Sequence, residues 1–283
     1  MNLTNLENKC NFTETTKRIN MGLTTENGLC FIGVSDHAAK IRKLIEFAAK
    51  SDVSVILRGP TGTGKDLVAK LIHDGSARKE KSFFPINSSA IAKDLIEPEL
   101  FGYMPGSFTG ASRDGKAGYF KYADGGTLFL DEITETSLDF QVKILRALED
   151  GYYYRVGAAT RELFNIRFIC GTNRSVGDYI KEGKFRDDLY YRLYGIEIEI
   201  PPLSERKEDI RPLIDYYVKS KLVPENSESH SVKIVDGAWT KIEAHEWNGN
   251  VRELFAVIRL AYALAIHDES YKVTEEHIRF PNI

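Results

Sequence analysis

A run of glycines ending in a lysine carries the strongest chemical signal in the chain: Gly59, Pro60, Thr61, Gly62, Thr63, Gly64, Lys65 and Asp66, with Leu67 opening an apolar pattern behind them. Glycines let backbone N–H groups turn inward around a phosphate chain, and the N-terminus of a following helix favours its negative charge. Lys65 has the reach for the outer phosphates. Asp66 stands where the general phosphate-loop pattern has Ser or Thr, so the hydroxyl usually offered to magnesium is missing. A chance glycine-rich turn is the competing reading. A strand pattern before the loop and a helical one after it argue against that.

Asp131 and Glu132 end the run GGTLFLDE that begins at Gly125. The buried-strand pattern Thr127–Leu130 delivers both carboxylates to the C-terminal edge of a sheet, where ligands sit in open α/β folds. Asp131 suits magnesium coordination through water, and Glu132 suits polarising an attacking water. Alone, an acidic strand end more often caps a helix; a phosphate loop upstream favours the chemical reading. Asn173 ends a further strand pattern after Thr172. It can orient water near a terminal phosphate or simply sit in a turn, and spacing leaves both open. Arg186 and Arg192 lie six positions apart, and Arg252 follows Gly249 at a helix start. Arginine stabilises charge on a transferring phosphoryl group, from within a chain or from a neighbour. Equally, an isolated arginine forms a surface ion pair worth little.

These groups need elements to hold them. Val53–Leu57 reads as a strand stopping at Gly59, and Leu67, Val68, Leu71 and Ile72 resume at helical spacing. Ile41, Leu44, Ile45 and Ala48 place another helix across the forties. Phe83–Ile86, Thr127–Leu130 and Ile166–Cys170 read as buried strands, and Ile196–Ile200 as an alternating one. Between two of these, Leu138–Glu149 reads as a helix capped by Ser137. Strands alternating with helices predict an α/β fold, a parallel sheet covered on both faces. Pro201 and Pro202 mark a boundary. Beyond it Ile210–Val218, Val235–Ala244 and Val251–Ile266 read as helices, Glu275–Ile278 as a helical turn, and Val223–Ser231 as a loop. The expected organisation is a flexible polar leader over 1–29, an α/β domain over 30–202 and a small all-helical domain over 203–283. There is no internal repeat and no low-complexity tract.

The 283 residues suffice for a full core. A formal charge of −3 lacks the basic excess of a whole-chain nucleic-acid binder. Cys10, Cys30 and Cys170 form no Cys-x-x-Cys pair and cannot all pair together, which fits a reducing compartment. Neither a signal peptide nor a run of ~20 apolar residues is present, so a cytoplasmic protein without membrane attachment is expected.

From Glu99 to Ala111 the chain reads ELFGYMPGSFTGA. This closely resembles the ELFG…GAFTGA segment of the sigma-54-dependent transcriptional activators, the bacterial enhancer-binding proteins, which are AAA+ ATPases. The resemblance runs from about Phe31 to the C-terminus, through ADGGTLFLDEI, FRDDLYYRL, PPLSERKEDI and WNGNVREL. It implies a P-loop AAA+ domain with a parallel sheet flanked by helices, an inserted loop that contacts the sigma factor, and a small helical lid. It also implies ATP and Mg2+ as cofactors, sigma-54 and RNA polymerase as partners, and a homo-oligomeric ring, a hexamer by analogy.

Carried residue by residue, the resemblance gives Gly59–Leu67 (Walker A) to ATP, and Asp66 is closer to type because an acid commonly follows the lysine in this family. Asp131 and Glu132 (Walker B) match the metal-binding and water-activating acids. Asn87 matches an asparagine that holds the catalytic glutamate until the partner is engaged, and Asn173 the first sensor. Arg186 and Arg192 match arginines supplied across the ring interface, and Arg252 the second sensor in the lid. Gly106, Ser107, Phe108, Thr109, Gly110 and Ala111 match the sigma-contacting loop, with Phe108 and Thr109 at its tip. The flanking glycines and polar neighbours favour an exposed loop over a buried turn.

Departures are Ser107 for Ala, Met104 and Pro105 for a commonly charged pair, Lys121 for Glu and Asn248 for Pro. None removes a catalytic group; Lys121 and the Met104–Pro105 pair bear on coupling. Typical relatives carry a regulatory domain in front and a helix-turn-helix domain behind, for which this sequence has no room, so direct DNA binding is not expected. Two rival readings are a AAA+ machine for another protein or DNA client and a regulatory shell without catalysis. The GSFTGA loop argues against the first, and the retained Lys65, Asp131, Glu132, Arg186 and Arg192 against the second.

Overall fold

The computed structural model describes residues 29–92, 94–222 and 233–281. The leader expected over 1–29, apart from Leu29, and the loop expected over 223–231 lie outside the described residues. In chain order the first part contains α1 (Asp36–Ala49), β1 (Val55–Arg58), α2 (Lys65–Asp74), β2 (Phe83–Asn87), α3 (Ile96–Phe101), β3 (Gly102–Tyr103) and β4 (Lys116–Ala117). It continues through α4 (Tyr119–Ala123), β5 (Thr127–Asp131), α5 (Leu138–Asp150), β6 (Tyr152–Tyr154), β7 (Arg161–Leu163), β8 (Arg167–Thr172), α6 (Val176–Lys181), α7 (Asp187–Leu193) and β9 (Ile196–Glu199).

Five of these strands form one parallel sheet in the order β2-β5-β8-β1-β9. Side chains alternate across it, and both faces are buried, which is why its strands read as apolar runs. Val55, Leu57, Phe129 and Ile169 join Ile41, Ile45, Val68 and Ile72 from α1 and α2 on one face. Ile56, Leu128, Leu130, Phe168 and Cys170 join Phe120, Ile144 and Leu189 on the other. The helices start where their caps direct. Ser35 accepts from the Ala38 N–H and Ser137 from the Phe140 N–H, while Gly151, at φ 73°, ends α5 in a left-handed conformation.

Strand ends differ from the sequence expectation for identifiable reasons. β1 begins at Val55 because Val53 is exposed, and its carbonyl accepts from Arg167 Nε at 3.2 Å. β8 runs on to Thr172, whose carbonyl accepts from the Gly59 N–H at 3.1 Å. β9 closes at Glu199, although the Ile200 N–H still donates to Arg58 O at 2.7 Å.

After Pro202 come α8 (Ile210–Tyr217), β10 (Lys233–Ile234), α9 (Asp236–Ala244), α10 (Asn250–His267) and β11 (Lys272–Val273). Leu203, Ile210, Leu213, Ile242, Trp247, Leu254 and Ile258 share a separate core with Cys30 and Ile32. The unit is helical as read, with one addition: β10 and β11 pair in parallel over two residues, too short a run for any period to show. No helix among the described residues is long and apolar enough to cross a membrane.

Candidate functional site

The glycine loop leaves β1 at the C-terminal edge of the sheet and enters α2. Gly62 and Gly64 sit at φ 82° and 103°, backbone that a side chain would strain. Thr63 Oγ1 donates to Pro60 O at 2.8 Å and closes the turn. Lys65 is only 4% exposed; its Nζ donates to Gly59 O at 3.0 Å and lies 3.6 Å from Glu132 Oε1. A cation this buried needs a counter-charge, and Glu132 supplies one. Asp66 is exposed in the first turn of α2, where an acid complements the helix N-terminus.

β5 brings the two acids to this loop. Glu132 adopts φ 55°, a left-handed conformation costing about 1–2 kcal/mol for a residue with a side chain. The bend turns its carboxylate toward Lys65 on one oxygen, while the other accepts from the Asn173 N–H at 3.2 Å. Asn173 Nδ2 donates to Thr61 Oγ1 at 3.3 Å, so this residue spans from the glutamate to the phosphate loop. Asp131 lies alongside with a different environment. Its Oδ1 is buried without a hydrogen-bond partner, and a Cβ on Gly171 would stand 2.3 Å from that oxygen. Burial holds the Asp131 carboxyl above the usual carboxylate range; Lys65 pulls it back and Glu132 pushes it further.

An orphaned, buried carboxylate oxygen beside a phosphate loop fits a divalent cation. Among the described residues no three His, Cys, Asp or Glu side chains are grouped for a metal. Mg2+ does not require such a cage, since it is commonly bound through one or two carboxylates plus substrate phosphates. A cleft of about 500 Å³, lined by Arg58, Pro60, Asn173, Arg174, Pro202 and Glu205 among others, opens beside the loop. A larger hollow of about 680 Å³ lies between α3, α5 and the β6–β7 hairpin, and no phosphate-loop residue lines it.

The side chains of the other expected residues bond to neither acid nor to Lys65. Asn87 is in register with Asp131 on the neighbouring strand, but its Oδ1 accepts from Ser89 N at 3.0 Å and Ser89 Oγ at 2.7 Å. It caps the short turn 88–90, and in this structure the glutamate is held by Lys65 and Asn173. Arg186 pairs with Asp188 at 2.6 Å, and Arg192 donates to Leu148 O at 2.6 Å. Both sit on or beside α7, bonded to neither acid nor to Lys65 within this chain. Arg252 is exposed in the first turn of α10, and its N–H donates to Gly62 O at 3.3 Å.

Two residues escaped the sequence reading. Asn250 is 1% exposed at φ 55°; its Nδ2 donates to Thr61 O at 3.0 Å and its Oδ1 accepts from Leu203 N at 2.8 Å. Arg206, also 1% exposed, donates from Nη2 to Thr63 O at 3.2 Å. The adjacent GNVR run was a signal for Asn250; Arg206, in a stretch of charges, offered none.

The segment Gly106–Ala111 stands on a stalk made by β3 and β4, which pair antiparallel through Gly102 and Ala117. Its base is tied to the β6–β7 hairpin: Met104 N donates to Val156 O and Val156 N to Gly102 O, each at 2.9 Å. Gly106 and Gly110, at φ 71° and 94°, face open space, so backbone conformation explains them. Thr109 is exposed, as is the stretch Ser112–Asp114. Phe108 is half-buried, its ring edge-on to Tyr103 at 5.1 Å between centroids, so the tip folds back on its own stalk.

Residues 31–199 match the family model of the sigma-54 interaction domain, and residues 204–280 that of the AAA+ ATPase lid domain. The luminescence regulatory protein LuxO of Vibrio campbellii is 43% identical over 229 residues, covering 81% of this chain and 50% of that protein. The Nif-specific regulatory protein of Klebsiella pneumoniae is 44% identical over 223 residues, covering 79% of this chain and 42% of that protein. The solved structure of NtrX from Brucella abortus in complex with ATP superposes with a TM-score of 0.80 at 32% identity, covering 89% of this chain and 54% of that one. The chain thus spans about half the length of the curated relatives it matches. With the phosphate loop, the paired acids and the stalked loop joined in one matched unit, the chain belongs to the sigma-54 interaction domain family of AAA+ ATPase-type proteins.

Proposed function

We propose that this chain hydrolyses ATP and uses the reaction to remodel sigma-54 RNA polymerase, so that closed promoter DNA can open. The observation that carries this reading is a stalked Gly106–Ala111 loop whose chain runs through α4 into β5, the strand that delivers Asp131 and Glu132 to Lys65. The nucleotide-binding domain then comprises residues 30–202 and the lid 203–283.

Backbone N–H groups from Gly62 to Asp66 and the Lys65 ammonium bind and neutralise the phosphates. Asp131 would hold Mg2+, which would supply positive charge to offset the charge developing on the phosphates. Glu132 polarises the attacking water, and Asn173 orients it. Held by Lys65 in this structure, the Glu132 carboxylate is released as the lysine turns to the phosphates. Arg186 and Arg192 are then supplied by the neighbouring subunit of a homo-oligomeric ring, a hexamer by family analogy. Within this chain they bond to Asp188 and to the Leu148 carbonyl and to neither acid, which supports a role in trans. Catalysis is positioning plus charge stabilisation. The loop, with Thr109 exposed at its tip, is the surface offered to sigma-54.

Opening of a sigma-54 promoter by the purified chain with the sigma-54 RNA polymerase holoenzyme tests the reading. Permanganate-reactive DNA is expected with ATP and not with a non-hydrolysable analogue. Steady ATP hydrolysis without any opened DNA would assign the chain to a different client.

A further inference from the structure

Five consecutive carbonyls of the phosphate loop are held by the protein, and three of them by residues beyond Pro202. Gly59 O accepts from Lys65 Nζ at 3.0 Å and Pro60 O from Thr63 Oγ1 at 2.8 Å. Thr61 O accepts from Asn250 Nδ2 at 3.0 Å, Gly62 O from the Arg252 N–H at 3.3 Å, and Thr63 O from Arg206 Nη2 at 3.2 Å. A trans peptide is planar, with the carbonyl of one residue and the N–H of the next pointing in opposite directions. Carbonyls of Thr61 and Thr63 turned toward the lid therefore turn the N–H groups of Gly62 and Gly64 to the other side of the loop.

The two side chains that do this are fixed in place. Asn250 is buried and left-handed, with its amide oxygen already taken by the Leu203 N–H. Arg206 is buried with Asp209 at 3.8 Å and the Phe31 ring at 5.5 Å. Asp209 in turn accepts from Val34 N at 2.6 Å, Ser35 N at 2.8 Å and Ser35 Oγ at 2.8 Å, anchoring the pair to the start of α1. Contact between lid and loop is close: a Cβ on Gly62 would stand 2.3 Å from Gly249 O.

We propose that Asn250 and Arg206 are positioning residues that preset the phosphate loop, holding its carbonyls so that its N–H groups face a nucleotide polyphosphate. The inference rests on the nucleotide reading above and adds to it a means by which the lid reads the loop's backbone. A loop with two left-handed glycines has other peptide orientations open to it. Without the clasp only a fraction of molecules is competent, and apparent affinity falls by that fraction. By reciprocity, bound nucleotide strengthens the hold of the lid on the loop.

Titration of the full chain with a fluorescent ADP and with ATP, beside steady-state kinetics, tests this. Asn250→Asp keeps the size, the tolerance of left-handed backbone and the acceptor for Leu203, and removes the donor to Thr61 O. Arg206→Lys keeps the charge beside Asp209 and loses the fork that reaches Thr63 O. Each variant is expected to weaken nucleotide binding about tenfold or more, with KM rising by more than kcat falls. Lowering the pH toward the carboxylate range restores part of the affinity of Asn250→Asp, because the protonated carboxyl donates again. Folded variants that bind nucleotide within about twofold of wild type would overturn the proposal and leave the contacts as a domain fastener. Should Asn250→Asp fail to fold, Arg206→Lys decides by the same criterion. Failure of the wild-type chain to bind nucleotide overturns the underlying reading instead, before any variant is compared.

Discussion

Asp131 and Glu132 are adjacent in sequence yet sit in opposite electrostatic situations. Glu132 is held by a lysine and a backbone N–H, whereas Asp131 has a buried oxygen with no partner. Glu132→Gln is expected to keep nucleotide binding while losing hydrolysis by about a hundredfold or more, the scale of a lost general base. A coupled ATPase assay beside a nucleotide titration checks both halves. Asp131→Asn makes the contrary prediction for stability. An acid whose folded pKa is raised forfeits stability as pH rises through its unfolded value, and the penalty is complete above the folded value. The raised Asp131 carboxyl therefore destabilises the nucleotide-free protein at neutral pH. Asp131→Asn should raise the thermal midpoint at pH 7, by an amount that shrinks as pH falls into the carboxylate range, and should abolish hydrolysis. A variant less stable than wild type at pH 7 would contradict the assignment of a penalty to this group.

The elements that join the nucleotide site to the Gly106–Ala111 loop are short and closely packed. From β4 the chain passes through Gly118 and α4 directly into β5, the strand that carries the two acids. Phe101 and Phe120 meet at a tilt with 4.9 Å between ring centroids, and Phe120 lies 5.8 Å from Phe168 on β8, the strand that leads into Asn173. Gly118 is a tight point at the base of the stalk, since a Cβ would stand 2.2 Å from Gly102 N and 2.3 Å from Leu100 O. Gly118→Ala therefore forces the stalk apart, at a cost of about 1–3 kcal/mol typical of overpacking. Denaturant melts should show that loss, and partner binding should suffer more than nucleotide binding. What was legible in the sequence follows the same division. The phosphate loop and the acids show because their chemistry is local and demands glycines and a strand end in order. The stalk strands and the β6–β7 hairpin, two or three residues each, are too short for a period to register. Asn250 and Arg206 meet the loop across 189 and 143 positions; the GNVR run marks the place of Asn250 but not what it contacts, and the charged stretch around Arg206 marks neither.

At the scale of the whole molecule, the proposed mechanism needs more than one chain. Lys65, Asp131, Glu132 and Asn173 converge, while Arg186 and Arg192 are bonded to Asp188 and to the carbonyl of Leu148. If those arginines act across a ring interface, hydrolysis depends on protein concentration, and complementary variants rescue one another. Arg186→Ala and Glu132→Gln chains, each inactive alone, should recover a measurable fraction of ATPase activity when mixed. No recovery at any ratio, with mixed rings shown to form, would place the arginines in cis or outside catalysis. The central claim reaches further, to sigma-54 itself. Capture of purified sigma-54 by the chain trapped with ADP and aluminium fluoride tests it most directly, set against the ADP form and against Thr109→Ala. The account predicts capture by the trapped wild type alone, with Thr109→Ala still hydrolysing ATP; trapped wild-type chain that leaves sigma-54 unbound, or equal capture by Thr109→Ala, would contradict it.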